Sequence, residues 1–107
     1  MENFKEIVYR DSDSALMIIP VNDNLEIIPR FVNELPIDDK TPLDDLRTFC
    51  LTKVTELAYV VYKKDNNRLD IQPVEGEVVY LLVSEMDAND KQIIENAGAV
   101  CTKLLNN

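Results

Sequence analysis

Histidine is missing from this chain, tryptophan is missing too, and glycine and cysteine occur twice each. Without histidine, the commonest general base and the commonest transition-metal ligand are both gone, which removes Ser-His-Asp and Cys-His arrangements. Gly76 and Gly98 are too few and too far apart for a glycine-rich phosphate-binding loop. The apolar runs at 15–19 and 78–83 are far too short to span a bilayer. The start of the chain, MENFKEIVYRD, has no basic stretch followed by an apolar core, so no secretory signal is expected.

Positive charge is also scarce. Eleven Lys and Arg stand against 20 Asp and Glu, a formal net charge of −9. A phosphate backbone is bound by clustered cations, so direct nucleic-acid binding and attachment to an anionic membrane are both disfavoured. Cys50 and Cys101 fall on apolar stretches, and neither has a basic neighbour placed to stabilise a thiolate. They read as buried, reduced thiols of a cytoplasmic protein.

What is present is enough for one folded domain over 1–107, with 46% apolar and 29% charged residues. Residues 5–10 form a short β-prone piece, ended by the turn-forming Asp11-Ser12-Asp13-Ser14. Residues 15–21 read as an inner strand that loses its pairing at Pro20. In 25–32 apolar and polar residues alternate, as in a half-exposed strand, and Pro29 places it at an edge.

The longest regular pattern is 41–64, expected to be one central helix. Thr41 serves as its cap, Pro42 as its first residue and Asp44 as the capping partner. Leu43, Leu46, Cys50, Val54, Leu57 and Val61 share one stripe. Tyr59 to Tyr62 is β-prone by propensity, but no Gly, Pro or polar linker separates it from the stripe, which favours helix to Lys64. Residues 68–72 and 77–84 pair as a hairpin around PVEG. A last helix starts at Asp87. Gly98 is expected to stop it, leaving 99–105 as a strand and 77–105 as a βαβ unit, although a helix through Leu105 also keeps the apolar period. No internal repeat or domain linker stands out.

The expected architecture is therefore a small α+β domain. A mainly antiparallel sheet of about five to six strands packs on one long central helix and a shorter C-terminal helix.

For chemistry, Asp11-x-Asp13 and Asp87-x-x-Asp90 fail the calcium-loop pattern, because the sixth and twelfth positions are Leu16 and Asn22 in one and Gln92 and Gly98 in the other. No metal, cofactor or catalytic role is expected. The sharpest candidate is the acidic cluster Glu34, Asp38, Asp39, Asp44 and Asp45, opposed locally only by Lys40, which could bind a basic surface on another protein. An edge strand near Pro29, or Tyr59 and Tyr62 if they lie off the buried stripe, could build a homodimer interface. The expected function is a non-catalytic protein-binding module, an inhibitor, adaptor or regulator. Compact, acidic, motif-free domains fit inhibitors from phages or mobile elements that block host machinery handling nucleic acid. A structural subunit of a larger assembly and a carboxylate-dependent enzyme are the alternatives.

Overall fold

The computed structural model describes all residues from Met1 to Asn107. Six strands form one antiparallel sheet in the order β3-β2-β1-β4-β5-β6. They are β1 (Phe4–Arg10), β2 (Ala15–Pro20), β3 (Arg30–Phe31), β4 (Leu57–Lys63), β5 (Arg68–Pro73) and β6 (Val79–Leu82). Two helices, α1 (Ile37–Leu51) and α2 (Ala88–Leu105), lie on one face. No helix is long and apolar enough to cross a membrane.

The α+β class is as the sequence implies, but the central helix is not. Residues 41–64 divide into the end of α1, a linker at 52–56 and β4. Thr52 ends α1: its Oγ1 and its amide both donate to the Phe49 carbonyl, at 2.6 and 3.0 Å. The β-branched and aromatic residues Tyr59, Val60, Val61 and Tyr62 then follow their strand preference. The 3–4 spacing of Val54 and Leu57 imitates a helix across what is in fact a polar connection.

The start of α1 also lies elsewhere. Pro36 precedes the first turn, and its carbonyl accepts from the amides of Asp39 and Lys40 at 3.0 and 2.9 Å. Asp38 and Asp39 supply the first-turn negative charge in place of Asp44 and Asp45. Thr41 does not cap, because its hydroxyl donates to the Ile37 carbonyl at 2.9 Å, and Pro42 sits inside the helix. The expected strand at 25–32 shrinks to Arg30–Phe31.

At the C-terminus α2 runs through Gly98 without a break, so there is no last strand and no βαβ unit, and α2 is the longer helix. Thr102 Oγ1 donates to the Gly98 carbonyl at 3.1 Å. A Cβ on Gly98 would meet the Phe4 ring at 3.5 Å, an ordinary contact. Gly98→Ala is therefore expected to stabilise the protein by about 0.5–1 kcal/mol, through helix propensity, in a denaturant titration. Destabilisation would mean that the ring cannot accept the methyl group.

The chain contains an internal duplication that the sequence hides. β1, β2, β3 and α1 are followed by β4, β5, β6 and α2 in the same order and the same roles. Ser14 and Asn67 close the equivalent hairpins with positive φ, 56° and 49°. The Val32 amide bonds the Ser14 carbonyl and the Val83 amide the Asn67 carbonyl, both at 2.9 Å. Leu16 opposite Arg30 in one half corresponds to Leu69 opposite Leu81 in the other. Cys50 and Cys101, both fully buried, occupy the same position in α1 and α2. β1 and β4 join the halves antiparallel about a local two-fold axis at the Val8–Val61 pair, with Ile7 opposite Tyr62 and Tyr9 opposite Val60.

The core fills the space between sheet and helices, with Leu16, Leu69, Ile71, Cys50 and Cys101 almost wholly enclosed. The helices run antiparallel, so Asp39 in the first turn of α1 meets Lys103 in the last turn of α2, where each charge suits its helix dipole.

Candidate functional site

The five carboxylates of the acidic cluster separate in the fold. Glu34, Asp38 and Asp45 are exposed. Asp39 is buried, and Lys103 Nζ donates to it at 2.7 Å. Asp44 is half-buried, 3.9 Å from Lys40 Nζ. Three free carboxylates remain of the five, and a cation from the far end of the chain stands among them.

Tyr59 and Tyr62 are also parted. Three residues apart, they would share a face on a helix, but on a strand they point to opposite sides. Tyr62 turns toward the helices, packs on Phe4 at 6.2 Å between ring centroids and donates to Asn67 Oδ1 at 2.9 Å. Burial, and to a lesser degree the charge of Glu95, push its phenol pKa up. Tyr59 lies on the other side of the sheet, 38% exposed.

The acids of the β1–β2 turn are tied to separate cations. Asp11 accepts from Arg47 Nε at 2.5 Å and from the Tyr9 hydroxyl at 3.0 Å, which fastens the turn to α1. Asp13 takes Arg10 at 2.6 Å. The two thiols are free and buried, and loss of solvation pushes each pKa up to about 12, so both stay protonated at neutral pH. No group of three or more Cys, Asp or Glu side chains is placed to hold a metal ion. An open cleft of about 540 Å³ at one end of the sheet is edged by Lys53, Glu56, Glu75 and Glu77.

The sheet face away from the helices has no cover. By strand alternation its central row runs Met17, Val8, Val61, Asp70, Tyr80. The row beside it runs Phe31, Ala15, Arg10, Tyr59, Gln72. Between β3 and β4 these residues form a hollow of about 180 Å³, lined by Val8, Ala15, Met17, Pro29, Phe31, Tyr59 and Arg10. Phe31 and Tyr59 stand at its rim, 44% and 38% exposed. Asp70, farther along, is shielded by its neighbours although it belongs to this open face. Arg68 Nη2 donates to its Oδ2 at 3.1 Å and the guanidinium stacks over Tyr80. Arg68 Nε and Asp70 Oδ1 are 2.8 Å apart, and both atoms are buried without a hydrogen bond, so charge attraction joins them.

Comparison with protein-family models, with curated proteins and with solved structures finds no match to this chain.

Of this face Tyr59 and the edge near Pro29 stood out in the sequence. Val8, Met17 and Phe31 carried a signal, as the residues alternating with the buried Ile7, Leu16 and Val32. That they share one face follows only from the strand order, which sequence periodicity does not contain.

Proposed function

We propose that the protein is a non-catalytic protein-binding module, acting as an inhibitor, adaptor or regulator of a larger protein, and that it binds through the uncovered face of its sheet. The observation that carries this reading is the hollow with Phe31 and Tyr59 at its rim. An apolar floor, aromatic walls and an arginine at the margin are the composition of an interface centre, and the volume suits one apolar side chain of a partner. Arg10 is held by Asp13, so it shapes the wall without needing a counter-charge from the partner.

The experiment compares partner capture, from the cells that make the protein, by the natural chain, by Phe31→Glu/Tyr59→Glu and by Asp38→Lys/Asp45→Lys. Both rim residues are exposed, so their replacement leaves folding intact. The expected result is a partner lost with the rim variant, at least about tenfold weaker, and kept by the charge-reversed one. A partner that survives the rim substitutions contradicts this surface. One lost on charge reversal and in high salt assigns binding to the remaining acids, Glu34, Asp38 and Asp45, and a basic partner.

The apolar character of the face also favours a second reading, a structural subunit of a larger assembly. A permanent interface buries upwards of about 2,000 Å², far more than this hollow. A complex that persists on dilution would support the subunit reading, and one that exchanges would support the module.

A further inference from the structure

The sheet has two edges, and only one is protected. β3 is a two-residue strand, and Pro29, immediately before it, has no N–H to offer. β6 has neither device: from Glu77 to Ser84 there is no proline, lysine or arginine. The internal duplication sharpens this contrast, because Pro29 precedes Val32 by as many residues as Tyr80 precedes Val83. Proline thus stands in one half where Tyr80 stands in the other.

The backbone of β6 shows what its edge offers. The Val83 amide is turned inward to Asn67, and Leu81 and Val79 lie opposite Leu69 and Ile71. By alternation the N–H and C=O groups of Tyr80 and Leu82 point outward, away from β5. Their side chains are exposed as well, 61% and 45%, on the uncovered face.

We propose that β6 pairs antiparallel with β6 of a second copy of this chain, about a two-fold axis at Leu81, to give a continuous sheet across both copies. Tyr80 of each copy then lies opposite Leu82 of the other, and the outward N–H and C=O groups of these residues satisfy one another. Each exposed ring also gains an aliphatic neighbour across the strands. Identical strands meeting antiparallel are self-complementary, which makes a second copy the fitting occupant. The chain uses the same device internally, where the equivalent strands β1 and β4 pair about Val8 and Val61. Both copies carry −9, so the dimer tightens as salt rises.

This inference goes beyond the partner-binding reading and uses a different part of the sheet. Sedimentation velocity over a concentration series, at low and high salt, should show the 12.2 kDa chain passing to twice that mass, at lower concentration in high salt. Tyr80→Pro copies the protected edge and removes one outward donor per copy, so dimerisation should weaken by about a hundredfold. Leu82→Lys, which leaves the backbone unchanged, should weaken it too, and circular dichroism checks that both variants fold. Phe31→Glu/Tyr59→Glu should still dimerise. A monomer under all conditions, or a dimer untouched by both edge substitutions, overturns the proposal. So does a dimer abolished by the rim variant alone, which would place the contact on the open face.

Discussion

Replacing Leu69 with alanine should lower the free energy of unfolding by about 2–5 kcal/mol, and the whole protein should still unfold in one transition. Leu69 has no exposed surface and sits between Tyr62 on β4 and Leu81 on β6, under the helix layer. The backbone of a central strand cannot move inward to fill the space left by the missing carbons, which places the cost toward the upper end of the range. Small domains are stable by only about 5–15 kcal/mol, so this loss is a large share of the total. Leu16, the equivalent residue, is equally enclosed, and Leu16→Ala should cost about as much. The two halves share the β1–β4 ladder and one core, so damage to either should bring both down together. Urea titration followed by circular dichroism checks this: a lower midpoint with an unchanged slope is expected. A biphasic curve, or a loss below about 1 kcal/mol, would contradict it.

Stability should also fall steeply above about pH 9. In the folded protein burial holds Cys50 and Cys101 protonated up to about 12, while in the unfolded chain a thiol ionises near 8.5–9. Between those values the unfolded state binds fewer protons than the folded one, so the free energy of unfolding decreases as pH rises. The stabilisation is complete below about pH 9 and is lost on the way to 12. Burial raises the phenol pKa values of Tyr9 and Tyr62 as well, adding a contribution of the same sign above about pH 10. Each unit of difference corresponds to about 1.4 kcal/mol, so the loss from the two thiols by pH 11 is on the order of several kcal/mol. Urea titrations from pH 7 to 11 measure it, and a Cys50→Ala/Cys101→Ala variant should show a shallower decline. A natural chain equally stable at pH 8 and pH 11 would show that the thiols reach solvent. A thiol reagent at neutral pH gives an independent check, since reaction should wait for unfolding.

How far the sequence disclosed this fold depended on how local each signal was. β1, β2 and the β5–β6 hairpin were legible because alternation and turn residues lie within a few positions of each other. The division between α1 and β4 was not, because Val54 and Leu57 continue the helical spacing through the linker. Gly98 misled in the opposite direction: it looks like a stop, yet a long amphipathic helix packed on the sheet outweighs the cost of about 1 kcal/mol for one internal glycine. The fate of the acidic cluster was out of reach, since the partner of Asp39 is Lys103, 64 residues away. The duplication was obscured by a spacing that changes partway through each half, the path from Leu16 to Val32 being two residues longer than that from Leu69 to Val83. Equivalent residues therefore fall out of step between the strands and the helix, even where they are identical, as with Leu16 and Leu69 or Cys50 and Cys101.

The duplication bears on how the two halves find each other. Alone, each half would have an unpaired ladder along β1 or β4 and a helix covering only part of its core, and the missing surface is what the other half supplies. The polar linker at 52–56 converts that meeting into an event within one molecule. A short flexible tether gives a local concentration in the millimolar range, so a ladder that two free pieces would form only when abundant can form at any dilution of the chain. The outer edge of β6 has no such tether, and whatever pairs there depends on how much of the protein is present.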